Sequence, residues 1–368
     1  MNIDKIVGFL QNLNTVTFNS ELCSKLISPK SSCTNCTKVC PVQGITFTAR
    51  GLEVQNCTSC GLCIEACPNH VFILSENQLI EMANSDSQTL ILTCPSLYET
   101  IPEELAQSVT KLSCLGELYP ELTFYLLASF KKVILIHDTN KCAECFNQDI
   151  KEKIKPSQFS HLQDKYFTNK LLVVNDFHEI KPYLKNQKAQ QTPDRRAFFR
   201  HIFQGSKNIS KEILQSALNQ EKLKEGESIP PKKQYLKDAL KKQENLDFSD
   251  ILPYPKLRIR ACNFCGACSK LCPTHALKLQ ENENEKIISF TPNLCTQCNI
   301  CSEICYYQGL TWEENIIIKE FLNDNSEILA TGQKRACNNC EQDFYELDEK
   351  EELCFLCRPK RSINGQED

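Results

Sequence analysis

The spacing of the cysteines constrains this sequence more than any other feature. There are 24 of them in 368 residues, and most lie only three or four positions from the next one. Such close neighbours cannot join distant parts of a fold through disulfides, and disulfide-rich scaffolds are usually short secreted chains. Residues 1–5 lack the basic and apolar regions of a signal peptide. We therefore expect a cytoplasmic protein whose cysteines bind metals.

Three segments share the pattern Cys-x2-Cys-x2-Cys-x3-Cys, and they begin at Cys57, Cys262 and Cys295. This is the bacterial ferredoxin spacing, in which thiolates bind [4Fe-4S] clusters. With their flanking cysteines, the N-terminal and C-terminal blocks resemble bacterial-type 2[4Fe-4S] ferredoxins and the polyferredoxin subunits of anaerobic oxidoreductases. The resemblance implies four [4Fe-4S] clusters, two in each block. Zinc alone is the alternative, although zinc favours pairs of Cys-x2-Cys knuckles.

The resemblance also implies that the fourth cysteine of each motif binds the neighbouring cluster. One of the four resulting ligand sets is irregular, because Lys30 stands where its first ligand belongs, and we expect Cys23 to replace that ligand. A three-iron cluster and a lost site are the alternatives. The four sets are Cys40, Cys57, Cys60 and Cys63; Cys23, Cys33, Cys36 and Cys67; Cys262, Cys265, Cys268 and Cys305; and Cys272, Cys295, Cys298 and Cys301.

Two histidines follow these motifs. His70 and His275 each come three residues after a cysteine that closes a motif. A proton-coupled role is one interpretation, because histidine titrates near neutral pH. We expect instead that both are surface residues beside a cluster.

The middle of the chain has a different pattern. Apolar runs at 90–93, 133–137 and 171–175 alternate with helical stretches, which predicts a small α/β domain with a mostly parallel sheet. Two of these runs precede cysteines, at the sheet edge where α/β folds bind ligands. The middle cysteines are Cys94, Cys114, Cys142 and Cys145.

This arrangement resembles the delta subunit of methyl-viologen-reducing hydrogenase and related heterodisulfide-reductase electron-transfer modules. The resemblance implies a [2Fe-2S] cluster held by the four middle cysteines. The family motif begins with Cys-x2-Cys, whereas Cys94 stands alone here and the pair comes last. Another metal, a redox disulfide and structural thiols are the alternatives.

The C-terminal tail carries two Cys-x2-Cys knuckles separated by 13 residues. This is zinc-ribbon spacing, and Phe344, Tyr345 and Leu353 would form a minimal core around the ion. A rubredoxin-like iron would use the same ligands, but the glycines and prolines that commonly shape rubredoxin knuckles are missing. We therefore expect Zn2+ bound by Cys337, Cys340, Cys354 and Cys357.

These patterns predict an α+β multidomain protein in which a small α/β domain separates two ferredoxin-like units. The predicted order is a 2[4Fe-4S] ferredoxin-like domain at 1–80, the α/β domain at 81–180, a basic helical linker at 181–255, a second ferredoxin-like domain at 256–325 and a zinc-ribbon tail at 326–368. Around the linker, lysines and arginines outnumber acidic residues. We expect that charge to form a solvated face, and a docking surface for an acidic partner is the alternative.

The motifs favour electron transfer over catalysis. The sequence has no Gly-rich dinucleotide fingerprint, P-loop or H-E-x-x-H motif, so no independent catalytic apparatus is visible, although enzymatic activity is left open. We expect electrons to pass to or from a catalytic oxidoreductase subunit or a soluble redox partner. Molybdopterin oxidoreductases, hydrogenases and heterodisulfide-reductase-like enzymes are the candidate partners.

Other functions are less compatible with the sequence. Cluster thiolates would add negative charge to a formal net charge of −4, which argues against nucleic-acid binding. No stretch is long enough to span a bilayer, and peripheral attachment through a partner is compatible with this. The two alternative functions are a thiol- or flavin-linked reductase that uses the middle cysteines and an oxygen-sensing regulatory or assembly protein.

Overall fold

The described residues of the computed structural model, 16–73, 79, 88–145, 159–184 and 229–358, form short helices and small sheets around the cysteine loops. This mixed helix and sheet content agrees with the predicted α+β class. No helix among these residues is long and apolar enough to cross a membrane.

The N-terminal block folds around an antiparallel hairpin, whose strands pair Ile45 with Val54. A second pair of strands joins the start of the block to its end, with Phe18 opposite Phe72. Buried side chains such as Ile64 pack between these elements. The elements are β1 (Thr17–Phe18), α1 (Ser24–Ile27), α2 (Asn35–Val39), β2 (Ile45–Thr48), β3 (Gly51–Val54), α3 (Leu62–Ala66) and β4 (Phe72–Ile73).

The middle domain is built on a parallel sheet of order β6-β5-β7-β8. Its two central strands are buried on both faces, as expected for a parallel sheet covered by helices. Leu90 and Leu92 face one apolar cluster, whereas Ile91 faces the other. The elements are β5 (Thr89–Thr93), α4 (Pro95–Tyr98), α5 (Glu103–Ala106), β6 (Thr110–Lys111), α6 (Pro120–Ser129), β7 (Lys132–Ile136), α7 (Thr139–Glu144), α8 (Ser160–Tyr166), β8 (Leu171–Val174) and α9 (Lys181–Leu184).

The segment predicted as a basic linker contains a packed helix, α10 (Pro231–Lys241). Leu236, Ala239 and Leu240 are fully buried against the core that α6 also joins. Three of its four lysines, Lys232, Lys233 and Lys237, are buried as well and Lys241 is exposed, so this part of the segment does not form the solvated face that its charge predicted. Residues 185–228 of the predicted linker lie outside the described residues.

The C-terminal block repeats the plan of the N-terminal block, with a hairpin between its two cysteine motifs. Strands β10 and β11 form this hairpin, and β13 pairs with β11 from the far side. The long strands β9 and β12 pair antiparallel and bring the two ends of the block together. The elements are β9 (Ile251–Ile259), α11 (Ala267–Lys270), β10 (Leu277–Glu281), β11 (Glu285–Phe290), α12 (Ile300–Ile304), β12 (Leu310–Ile317), α13 (Ile318–Leu322) and β13 (Glu327–Gln333).

The tail has a core of its own, made of Cys337, Phe344 and Cys354. Two short strands pair antiparallel here, β14 (Arg335–Ala336) and β15 (Asp343–Phe344). With so few buried apolar side chains, a metal is the expected source of additional stability.

Candidate metal centres

The cysteines of the two large blocks lie in four groups, two in each block. Each group takes three cysteines from one part of its block and one from another, as the ferredoxin resemblance implies. Group A contains Cys40, Cys57, Cys60 and Cys63; group B contains Cys23, Cys33, Cys36 and Cys67; group C contains Cys272, Cys295, Cys298 and Cys301; and group D contains Cys262, Cys265, Cys268 and Cys305.

Group A lies where α2 ends and α3 begins. Burial raises the pKa of Cys63, and Cys60, Cys57 and Cys40 raise it further by charge repulsion, which requires that these thiols lie close together. One cavity is lined by all four cysteines of the group, together with apolar residues such as Ile45.

Group B includes the irregular motif, and Cys23 is part of it. Burial raises the pKa of Cys36 to about 12, and Cys67, Cys33 and Cys23 raise it further. All four cysteines line one cavity, whose wall also includes Phe47. The structure therefore brings Cys23 to the place that the regular motifs give to their first cysteine.

Groups C and D have the same crossed arrangement. Burial raises the pKa of Cys268 to about 12, and the other group D thiols, including Cys305, raise it further. Burial also raises the pKa of Cys301 to about 12, and its strongest thiol neighbours, Cys298 and Cys272, belong to group C. The cysteine that closes each motif thus lies with the other group.

The three regular motifs share one backbone conformation that suits charged sulfur. The second residue after the first cysteine is left-handed, with φ of 53° at Ser59, 54° at Phe264 and 59° at Gln297. Its N–H donates to that cysteine's Sγ at 3.3, 3.2 and 3.4 Å, respectively. A left-handed residue with a Cβ costs about 1 kcal/mol or more, and hydrogen bonds to an anionic acceptor offset such a cost. The loops are therefore shaped to hold thiolates, which are the ligands of iron–sulfur clusters.

The two histidines behave differently from each other. His275 is exposed, in agreement with the expectation. His70 is only 4% exposed, and its ring meets Tyr119 edge-on with the ring centroids 5.8 Å apart. The prediction that His70 is a surface residue was wrong. The middle domain packs over this turn, and local sequence does not encode that contact.

The C-terminal block also matches a known family. Residues 261–309, which contain every cysteine of groups C and D, match the family model of the 4Fe-4S dicluster domain. A 4Fe-4S cluster-binding domain is therefore present here. Its presence indicates an iron–sulfur electron-transfer role. No curated protein and no solved structure matched the chain.

Three of the four middle cysteines lie near one another. Burial raises the pKa of Cys142 to about 11, and Cys94 and Cys145 raise it further. Cys114 belongs to the apolar cluster on the other face of the sheet, where its Sγ accepts a hydrogen bond from the Gly116 N–H at 3.3 Å. The structure thus brings three of the four predicted ligands together and places Cys114 apart from them, and the [2Fe-2S] cluster stays a prediction.

His137 is a candidate ligand that the sequence reasoning missed. Its Nε2 lies 3.2 Å from the Sγ of Cys142. The signal was available, because His137 directly follows β7, at the sheet edge where the middle cysteines were expected.

The four tail cysteines form the tightest group. Their Sγ atoms all lie within 4.8 Å of one another, and those of Cys340 and Cys354 are 3.7 Å apart. A tetrahedral site with metal–sulfur bonds of about 2.3 Å needs separations of about 3.8 Å, so the spacing suits zinc. The Cys354 N–H donates to the Sγ of Cys337 at 3.2 Å, and this bond is the main cause that lowers the pKa of Cys337 to about 6. A low thiol pKa favours the thiolate that binds a metal.

Proposed function

We propose that this chain is a multi-cluster iron–sulfur protein that relays electrons to or from a catalytic oxidoreductase partner. The observation that carries the proposal is the crossed grouping of sixteen cysteines into groups A to D. Eight of these cysteines, those of groups C and D, lie in the segment that matches the 4Fe-4S dicluster domain. Each group would hold one [4Fe-4S] cluster, which can store and release one electron.

The protein would contribute to this function by setting the electrostatic surroundings of each cluster. Apolar walls such as Phe47 and Val71 beside group B exclude water, and backbone N–H groups donate to the sulfurs. Burial, hydrogen bonds to sulfur and nearby charge are the properties by which a protein tunes a cluster's reduction potential. Differences among the four environments would set the order in which the sites accept electrons.

The other metals belong to the same proposal. Cys94, Cys142 and Cys145, with His137 as the candidate fourth ligand, would hold a [2Fe-2S] cluster that acts as a further station or as the connection to the partner. The tail would bind Zn2+ and gain its fold from it. The partner would be a molybdopterin oxidoreductase, a hydrogenase or a heterodisulfide-reductase-like enzyme, and the chain itself would be a cytoplasmic, non-catalytic subunit.

Metal analysis of the full chain purified without oxygen tests this function. We expect about 18 iron atoms and one zinc per chain, or about 16 iron atoms if the middle site holds none. Electron paramagnetic resonance (EPR) of the reduced protein should account for four [4Fe-4S] clusters. About eight iron atoms after full anaerobic reconstitution would show that only one block binds clusters and would refute the proposal.

One contact favours a second candidate, a thiol-based reductase. His137 next to Cys142 is the pairing that activates a cysteine nucleophile. The raised pKa of Cys142 opposes this role, because a reactive cysteine needs a lowered pKa. Turnover of a disulfide substrate that Cys142→Ser abolishes, with all iron retained, would establish the reductase.

A further inference from the structure

The two ferredoxin-like blocks touch each other between group B and group C. Asn69, which follows Cys67 of group B by two residues, is almost fully buried, and its Oδ1 accepts a hydrogen bond from the hydroxyl of Thr296. Both side chains also interact with Cys298 of group C and lower the pKa of that thiol against the larger effect of burial. A single side chain thus connects the surroundings of both groups.

Asn69 is held firmly in this position. Its Nδ2 donates to the carbonyl of Leu22 at 2.8 Å, and Leu22 precedes Cys23 of group B. A second contact between the blocks lies nearby, where the Ser32 N–H and hydroxyl donate to the carboxylate of Glu303. The interface is therefore polar, specific and next to cysteines of both blocks.

Helix α10 places one lysine beside each of these groups. Lys232 donates from Nζ to the carbonyls of Glu65 and Cys67 at 2.8 and 2.9 Å. It also opposes the rise that burial causes in the pKa of the Cys67 thiol. Lys233 has the same effect on Cys295 of group C. Consecutive residues of one helix thus place one lysine side chain beside each of groups B and C.

Lys233 is buried among aromatic and anionic side chains. It is 4% exposed, its Nζ lies over the ring of Tyr254, and the anionic groups that interact with it are Glu121 and Cys295. The hydroxyl of Tyr254 donates to Glu121 at 2.9 Å.

The remaining contacts order the four groups. Within each block one short helix joins the two groups, because α3 carries Cys63 of group A and ends at Cys67 of group B, and α12 carries Cys301 of group C and ends at Cys305 of group D. We propose that the four sites form one path in the order A, B, C, D, and that electrons cross between the blocks from B to C or from C to B beside Lys232 and Lys233. This inference rests on the proposed function.

Physical chemistry gives the lysines a role in this crossing. Reduction adds one negative charge to a cluster, and a nearby ammonium stabilises that charge and raises the reduction potential. One lysine beside each site would therefore raise the reduction potentials of the clusters in groups B and C. The electron lost by one cluster is the electron gained by the other, so no further reactant is needed.

Two matched variants test the order of the sites by EPR of the fully reduced chain. In Cys23→Ala, which removes the group B cluster, the remaining N-terminal cluster in A should have no close neighbour and give the spectrum of an isolated cluster. In Cys40→Ala, which removes the group A cluster, the remaining cluster in B should still show magnetic coupling to C. The order would be overturned if both variants gave the spectrum of an isolated N-terminal cluster. It would also be overturned if that cluster showed magnetic coupling to C only in Cys23→Ala.

Redox titrations followed by EPR test the lysines. Lys232→Gln should lower the reduction potential of one cluster and Lys233→Gln that of a second, while Lys232→Arg should preserve the wild-type value. Lys237→Gln is the control, because Lys237 is buried on the same helix but pairs with Asp324. Equal shifts in Lys232→Gln and Lys237→Gln would refute the role of the lysines.

The proposed function can fail separately from this inference. Iron analysis of the wild-type chain decides whether four [4Fe-4S] clusters are present before any variant is compared. With four clusters present, the spectra and potentials of the variants bear only on the crossing. If an alanine variant fails to fold, the lysine titrations still decide the inference.

Discussion

At the scale of single residues, Gly61 combines a left-handed backbone with a close approach to another part of the chain. It begins α3 with φ of 74°, and a Cβ built on it would lie 2.3 Å from the Cβ and 2.8 Å from the Cα of Glu117. Its counterpart Gly266 has φ of 76°, but its nearest atom is the end of the Leu279 side chain at 3.0 Å. Gly61 therefore allows the middle domain to approach group A, whereas Gly266 serves only its own loop.

Gly61→Ala should destabilise the chain more than Gly266→Ala. Both changes incur the left-handed backbone cost of about 1–2 kcal/mol, and only the first also forces Glu117 away. We expect Gly61→Ala to lose its visible iron–sulfur absorbance at a clearly lower temperature during anaerobic heating. Equal losses in the two variants would show that the contact with Glu117 contributes nothing.

Local spacing predicts the chemical role of a residue better than it predicts which parts of the fold pack around that residue. The placement of Cys23 with Cys33, Cys36 and Cys67 followed from cysteine spacing and family resemblance, because a short loop suffices to bring Cys23 in. The burial of Lys232 did not follow from sequence, since a lysine-rich helix is usually solvated. Its partner carbonyl at Cys67 is 165 positions away, and no local pattern encodes such a contact.

At the scale of elements, α10 connects the three parts of the molecule. It packs along α6 of the middle domain, its Lys232 reaches the N-terminal block, and its Lys237 pairs with Asp324 beside the C-terminal block. Proline at the first helical position begins the helix, and a buried stripe that includes Leu236 and Leu240 anchors it. The helix was predicted within a linker because the charge of the whole segment outweighed this short apolar stripe.

Leu240→Ala should therefore reduce stability substantially. Truncating a fully buried leucine costs about 2–5 kcal/mol, because it removes apolar contacts and leaves a cavity. The matched control is Leu356→Ala, since Leu356 is 87% exposed and surface changes usually stay within about 0.5 kcal/mol. Anaerobic thermal unfolding followed by circular dichroism gives the comparison. If Leu240→Ala unfolds like Leu356→Ala, α10 does not anchor the fold.

The tail is a second element whose behaviour can be tested alone. Cys354→Ser should remove about one zinc per chain and leave the iron content unchanged, because the four tail thiols form a group of their own in a separate apolar cluster. Elemental analysis of the purified variant measures both metals. Loss of one iron in place of zinc would identify a rubredoxin-like site.

At the scale of the whole molecule, the path of four groups has two interior and two outer sites. Groups B and C face each other across the interface of the blocks. Group A lies against the middle domain through Gly61 and Glu117, and group D lies near the tail, where the Leu347 N–H donates to the Cys262 carbonyl at 2.9 Å. Of the sixteen cysteines in the four groups, all of which are described, only Cys265 of group D is exposed.

Electrons from a small soluble donor should therefore enter at group D. Electron transfer slows steeply with distance, and the exposed Cys265 brings this site closest to the solvent. With reduced methyl viologen as the donor, Cys305→Ala, which removes the group D cluster, should slow reduction of the remaining clusters about tenfold or more, equivalent to about 1.4 kcal/mol of activation free energy. Cys40→Ala, which removes the group A cluster at the other end, should leave that rate nearly unchanged. Stopped-flow absorbance under anaerobic conditions measures both rates, and a slower reaction in Cys40→Ala alone would place the entrance beside the middle domain.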